Sequence, residues 1–237
     1  MLKARHTVAI LQSNYLPWKG YFDIIHDVDT FIFYDDVQYT HRDWRNRNRV
    51  KTPQGLVWLT VPVGSSTDRR ICDVRIEDPS WARKHWETLR HVFGRAPHFE
   101  RYAPMLREVY LERQWTHLSE LNQYLVRRIS EECLGIRTRF RDSREWTVTG
   151  VRQERILDLL RQAGATHYVS GPAARSYLTQ EAFDAAGIVL TYKDYSGYPE
   201  YPQPHPPFEH AVTVLDVLFQ IGPEAPAAIW GWRGGAG

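Results

Sequence analysis

Two blocks of this chain alternate short apolar runs with helix-length stretches, and that alternation leaves few folds open to it. Near the start, residues 6–12 (His-Thr-Val-Ala-Ile-Leu-Gln) and 30–36 (Thr-Phe-Ile-Phe-Tyr-Asp-Asp) read as buried strands. Between them, Gly20 to Asp27 is long enough for two helical turns. Toward the end, a strand over 136–141 leads to a helix over 151–163 with apolar positions at 156, 159, 160 and 163, stopped by Gly164. A strand at 167–170, a helix over about 173–186 and a strand at 188–193 follow. Strands separated by helices pair in parallel, so the pattern predicts an α/β fold with a mainly parallel sheet and flanking helices.

The middle of the chain departs from this rhythm. Residues 56–63 and 71–76 read as strands joined through a Gly-Ser-Ser-Thr-Asp turn, which predicts a hairpin or antiparallel extension. Pro79-Ser80-Trp81 opens a helix reaching about Phe93, and Pro97 and Pro104 mark a second that ends near Arg113. A third, over 117–134, carries the seam Leu118, Leu121, Leu125, Ile129 and stops at Gly135. These helices, about 79–135, are expected as an inserted helical layer within a single domain over 1–222. The Pro-, Tyr- and Gly-rich stretch 196–208 reads as an ordered surface loop, and 211–220 as a last helix. Residues 223–237 read as a mobile tail.

Composition excludes several classes. A net charge of +2 is too small for nucleic-acid binding through bulk electrostatics, so any such binding must be local. The apolar run at the start is four residues long, too short for a signal-peptide core, and no later run reaches membrane-spanning length. Cys72 and Cys133 form neither a metal-ligand spacing nor a disulfide framework, and Cys133 continues the seam of the third helix. A cytoplasmic, reducing setting is the expectation. Nine Trp and thirteen Tyr are many for 237 residues, and such rings can line a cleft while offering an N–H or O–H.

In an open parallel sheet, ligands bind beyond the carboxyl ends of the strands, near a topological switch point. Three polar clusters fall there. The first follows the first strand and contains Gln12, Asn14, Tyr15, Trp18, Lys19 and Tyr21. The second ends the next strand with Asp35 and Asp36 and continues through Gln38, Tyr39 and His41 to Trp44, Arg45, Asn46, Arg47, Asn48 and Arg49. Asp35 and Asp36 can coordinate Mg²⁺, orient an amine or serve as a general base; His41 is an acid/base candidate. The basic run can clamp a phosphate or stack on RNA, or it can be a solvated edge. The third cluster, Ser170-Gly171-Pro172 with Arg175 and Tyr177, resembles an anion-binding turn at a helix start, although an ordinary N-cap fits as well. Gln203 belongs to a Tyr- and Pro-rich loop that can cover the cleft. No residue set has metal-centre spacing.

These residues carry a family resemblance. Gln12-x-x-Tyr15-x-Pro17-Trp18-x-Gly20-Tyr21-Phe22, Asp35-Asp36-Val37-Gln38-Tyr39, Trp44-x-Asn46-Arg47-Asn48 and Trp58-Leu-Thr-Val-Pro62 look like the WbqC-like family. Tyr168-x-Ser170-Gly171-Pro172, Tyr177-Leu178, Gln203, Phe208 and Asp216 match the rest of its pattern, so the resemblance spans about residues 7–222. Family members occur with genes for O-antigen, other surface glycoconjugates and natural products. The resemblance therefore implies a tailoring enzyme, with acyl or aminoacyl transfer to an amine as the leading reaction. The strand, Pro-containing loop and Gly-bearing helix also resemble a nucleotidyltransferase-like, Rossmann-type half. There a His-x-Gly-His element binds phosphates; here the segment reads Trp18-Lys19-Gly20-Tyr21, without either histidine.

Three functions follow as expectations. The first is a group-transfer enzyme acting on a small polar or phosphorylated substrate with an activated acyl or aminoacyl donor, for which tRNA or a carrier protein is a conceivable partner. The second is a nucleotide-binding, nucleotidyltransferase-like enzyme. The third is a non-catalytic RNA- or ligand-binding module using residues 42–51.

Overall fold

The computed structural model describes residues 4–234. Five strands form one parallel sheet: β1 (Thr7–Leu11), β2 (Thr30–Phe33), β5 (Arg139–Asp142), β6 (His167–Ser170) and β7 (Val189–Tyr192). Their order is β5-β2-β1-β6-β7, and every neighbouring pair is parallel. The chain builds outward from β1 through β2 to β5, then returns to lay β6 against the other side of β1. The switch point therefore lies between β1 and β6.

Two apolar layers sandwich the sheet, as parallel strands buried on both faces require. One face carries α1 (Lys19–His26), α2 (Trp81–Phe93), α3 (Phe99–Arg107), α4 (Leu118–Arg128) and α7 (Leu215–Ile221), packed around Phe22, Phe31, Leu125 and Phe219. The other carries α5 (Gln153–Gln162) and α6 (Gln180–Ala186), around Val8, Ile32, Leu160 and Phe183. The helices expected at 79–135 are present between β2 and β5, on the α1 face. The last of them runs on through a π turn at Ile129–Cys133.

Three regions differ from the sequence pattern. The hairpin pairs β3 (Arg47–Thr52) with β4 (Gly55–Thr60) across Pro53-Gln54, with Gly55 at φ 111°. The strand expected at 71–76 is instead a short 3-10 turn, Ile71–Asp73, followed by coil. The alternating Arg-Asn run leads into β3 and faces two ways: Arg45, Arg47 and Arg49 are half-buried, while Asn46, Asn48 and Val50 are buried. The helix expected over 173–186 is two pieces, a 3-10 turn at Pro172–Ser176 and then α6.

The expected tail is also different. Residues 222–234 form helical turns, including α8 (Ala225–Ile229), and Ala225 and Ile229 are fully buried. Within it, Trp230 stacks on His26 at 4.2 Å, and Arg233 pairs with Asp27. Residues 235–237 of that tail lie outside the described residues.

Candidate functional site

The loop after β1 is held in an unusual shape by its neighbours. Leu16 is fully buried at φ 42°, a left-handed conformation that costs a non-glycine residue of order 1–3 kcal/mol. Asn48 of β3 offsets that cost by donating from Nδ2 to the carbonyls of Leu16 (2.7 Å) and Tyr15 (3.3 Å). Arg45 grips the same loop, donating from Nη1 to Asn14 Oδ1 (2.7 Å) and from Nη2 to Gln12 Oε1. On the opposite side, residues 211–214 close the ring: Thr213 N donates to Arg49 O (3.0 Å), and Val214 N to Pro17 O (2.9 Å).

These three segments enclose a cleft of about 300 Å³, lined by Asn14, Pro17, Trp18, Trp44, Asn48 and Ala211. Trp18 and Trp44 supply apolar walls. Asn14 faces the cleft with its oxygen already engaged by Arg45, which leaves its amide N–H groups as donors. Asn48 is saturated by its loop contacts and by the backbone N–H of Arg49, so it shapes the cleft more than it binds.

Directly behind this wall lies a buried cation. Lys19 is 2% exposed, and its Nζ sits 5.0, 5.2 and 5.4 Å from the ring centres of Tyr198, Tyr201 and Phe208. Its hydrogen-bond partner is His210 Nδ1 at 3.0 Å. Burial lowers the Lys19 ammonium to about 8, against the opposing pull of Asp216. Burial, and then the charge of Lys19, lowers His210 from its ordinary value. Lys19 and His210 each adjoin a cleft-lining residue in the chain, Trp18 and Ala211, but neither side chain lines the cavity itself.

The two aspartates do not converge on this space. Asp35 is fully buried and accepts from Ser13 N (2.8 Å), Ser119 Oγ and Gln123 Nε2 (3.0 Å). It ties α4 to the β1 loop. Asp36 accepts from Ser143 Oγ and is ion-paired with Arg155. The two carboxylates thus serve different sides of the sheet, as strand alternation requires, and they do not fit a shared Mg²⁺. Among the described residues no group of three or more His, Cys, Asp and Glu side chains stands ready for a metal. His41 is exposed and has no side-chain hydrogen bond in the described structure.

Other expected ligands of the cleft turn inward. Tyr15 is fully buried, hydrogen-bonded to His85 Nδ1 (2.8 Å) and Tyr110. Tyr21 donates to Gln12 O (2.9 Å), fixing the start of the loop. Asn46 donates to Val61 O (3.0 Å), and Tyr39 is fully buried beneath Arg69. Gln38 is exposed at a bridge to Arg70. Gln203 anchors the loop around Lys19: its Nε2 donates to Asp216 Oδ1 (2.9 Å), and its Oε1 accepts from Lys51 Nζ (2.7 Å).

The third cluster stands apart. Ser170 is buried and its carbonyl accepts from Lys193 N (2.8 Å); Arg175 lies over the Tyr192 ring, and Tyr177 is exposed. None of 170–177 lines the cleft. The wall opposite the β1 loop is formed by Trp44, Asn48 and Ala211, and the turn after Gly171 is 3-10 and only five residues long. Sequence reasoning missed Ala211, His210, Ser119, Asn122 and Gln123. Asn122 donates to Arg45 O (2.8 Å), completing the support of the arginine. No local pattern marks these residues, because each acts only through a distant partner.

Fold and geometry define an α/β protein whose five-stranded parallel sheet, flanked by helices, carries a cleft beyond the carboxyl end of its first strand. The chain belongs to the WbqC-like protein family, whose model matches residues 12–228. It is similar to Rv1507c, an uncharacterized protein of Mycobacterium tuberculosis, with 49% identity over 221 residues that cover 92% of this chain and 95% of the relative. No solved structure matches the chain. Among the described residues no helix is long and apolar enough to cross a membrane.

Proposed function

We propose that the protein is a group-transfer enzyme for a small polar substrate, and that it moves an acyl or aminoacyl group onto an amine, such as that of an amino sugar, in surface glycoconjugate or natural-product biosynthesis. The observation that carries this reading is the Lys19–His210 pair set behind a cleft walled by tryptophans and edged by an amide. An attacking amine bonds through nitrogen to the acyl carbon, the donor's leaving group departs, and nitrogen gives up one proton. Lys19 is lowered to about 8, close to the range where a group accepts a proton and passes it on, and the downward shift of His210 keeps its imidazole uncharged at neutral pH, free to accept. Trp18 and Trp44 suit the apolar faces of a sugar ring, and the Asn14 amide suits a hydroxyl or carbonyl.

The aspartates take a supporting part in this scheme. Asp35 holds the β1 loop in register, and Asp36 is neutralised by Arg155. Nothing of comparable weight supports adenylyl transfer at the start of α1. A Cβ on Gly20 would meet the Trp18 ring at 2.3 Å, so the glycine there admits an indole rather than a phosphate.

The test is to supply amine acceptors with activated acyl and aminoacyl donors and to follow products by mass spectrometry. Wild-type protein should give a product, and His210→Gln should lower its rate on the order of 10²-fold while displacing the pH profile. No product with any donor–acceptor pair would overturn the reading.

A further inference from the structure

The β3–β4 hairpin carries features that the cleft alone does not use. Trp44 and Trp58 are 40% and 42% exposed, and their rings lie 5.6 Å apart at 40°. The Arg47 guanidinium sits 4.2 Å from the Trp58 ring centre, and that of Arg49 lies 5.6 Å from both rings. Arg49 also donates to Ala211 O (2.8 Å), and Trp44 and Ala211 both line the cleft. The aromatic pair is therefore continuous with the cavity.

The charges here are uncompensated. Among the described residues, no carboxylate comes within ion-pair distance of Arg47 or Arg49, and the row has one partner, Asp43, 3.6 Å from Arg45. The Nε atoms of Arg45, Arg47 and Arg49 are all shielded from solvent and lack an acceptor. Arg45 uses its Nη groups on Asn14 and Gln12. Arg47 and Arg49 use only Nη2, on the carbonyls of Arg42 and Ala211, so among the described residues their Nη1 groups make no hydrogen bond and can take an anion. Alternate residues of a strand are about 7 Å apart, so Arg47 and Arg49 can hold a pyrophosphate from two sides.

We infer that this hairpin is the docking platform for a nucleoside-diphosphate-bearing co-substrate, its base stacked on the Trp44–Trp58 pair and its pyrophosphate held by Arg47 and Arg49. The remainder of the ligand extends past Trp44 into the cleft. The inference rests on the transfer reading only in taking this ligand as the donor. A base has a π face that any indole can receive, and pyrophosphate is the anion that two spaced guanidiniums grip best. A sugar alone would leave the arginines unanswered, and inorganic phosphate would leave the tryptophans unused.

Calorimetry on the full chain, with ADP, UDP, adenosine, inorganic pyrophosphate and a short oligoribonucleotide as probes, tests this. ADP or UDP should bind at least tenfold more tightly than adenosine or pyrophosphate. Arg47→Gln combined with Arg49→Gln should abolish that binding while the circular dichroism stays native. Trp58→Ala should weaken it tenfold or more, and Trp58→Phe should restore most of it. Equal affinity for pyrophosphate and ADP, or retained binding in the double arginine variant, would overturn the platform. Binding of the oligoribonucleotide without either mononucleotide would overturn it too, in favour of RNA. Nucleotide binding without any transfer product would leave the platform standing and sink the transfer reading; transfer from nucleotide-free donors with no nucleotide binding would do the reverse.

Discussion

Two groups of cations in this protein meet opposite electrostatic surroundings. Near the end of α1, Lys193 and Arg233 face Asp23 and Asp27. The two positive and two negative groups balance, and Lys193 and Asp23 are only 4% and 1% exposed at a separation of 2.9 Å. Against the upward push of burial, hydrogen bonds from His26, Arg233 and Lys193 hold the Asp27 carboxyl well below the usual range. On the β3–β4 hairpin, Arg47 and Arg49 have indole rings beside them and, among the described residues, no carboxylate within ion-pair distance. Charges placed to join elements of a fold come with their counter-charges. A row that the fold leaves unanswered is available to something outside it.

The comparison breaks most decisively at Asp23. Asp23→Ala strips Lys193 of a buried partner and also removes the acceptor of the Tyr198 hydroxyl. Removing one member of a buried pair costs about 3–5 kcal/mol, so urea unfolding should show a loss of that size. A loss below about 1 kcal/mol would mean that the quartet is not structural cement.

The next effect is a pH dependence. His85 is buried against Tyr15 and Trp81, and burial lowers it to about 4 from an ordinary 6.5. Between those values the unfolded chain takes up a proton that the folded protein refuses. Stability should therefore fall as pH drops through that window, by about 1.4 kcal/mol per pH unit and on the order of 3 kcal/mol in all. Above pH 6.5 the group is neutral in both states and contributes no slope. Denaturant titrations from pH 7 to 4 should show the decline, and His85→Gln should flatten it.

Asp35 sharpens the contrast between support and chemistry. Asp35→Asn keeps the size but replaces one accepting oxygen with a donor facing Ser13 N, Ser119 or Gln123. About 1–3 kcal/mol of stability should be lost. If Asp35 acted as the base, Asp35→Asn would suppress turnover without that loss in thermal unfolding.

The smallest expected effect lies in the arginine row. Arg47→Gln and Arg49→Gln should each change stability by no more than about 0.5–1 kcal/mol, because no ion pair is broken and like charges are separated. A larger loss in guanidinium unfolding would mean that the Arg–Trp stacking exists to hold the hairpin together.

How far the sequence can be read differs across the site. The apolar runs at 7–11 and 30–33, and the Ser-Gly stop at 170–171, announced parallel strands and their carboxyl ends without help. Gln12, Asn14, Trp18 and Trp44 were legible as a polar and aromatic cluster, and Asn14, Trp18 and Trp44 do meet at one cleft. Ser170 and Arg175 were legible in the same sense, yet the β6 turn faces elsewhere. Asp35 looked catalytic for the reason that makes it structural: a carboxylate beside apolar residues must find donors, and Ser119 and Gln123 supply them from α4.

By itself, the sequence determined the α/β alternation, the parallel pairing and the crowding of hydrogen-bonding side chains after β1, since periodicity and turn chemistry act over a few residues. Tertiary structure alone decided that 211–214 would complete the cleft, that His210 would meet Lys19, and that Arg47 and Arg49 would have no carboxylate within ion-pair distance among the described residues. Lys19 and His210 are 191 residues apart in the chain. A partnership over that distance is set by how helices and loops pack, and only the folded molecule brings the Lys19 charge close enough to lower the proton affinity of His210.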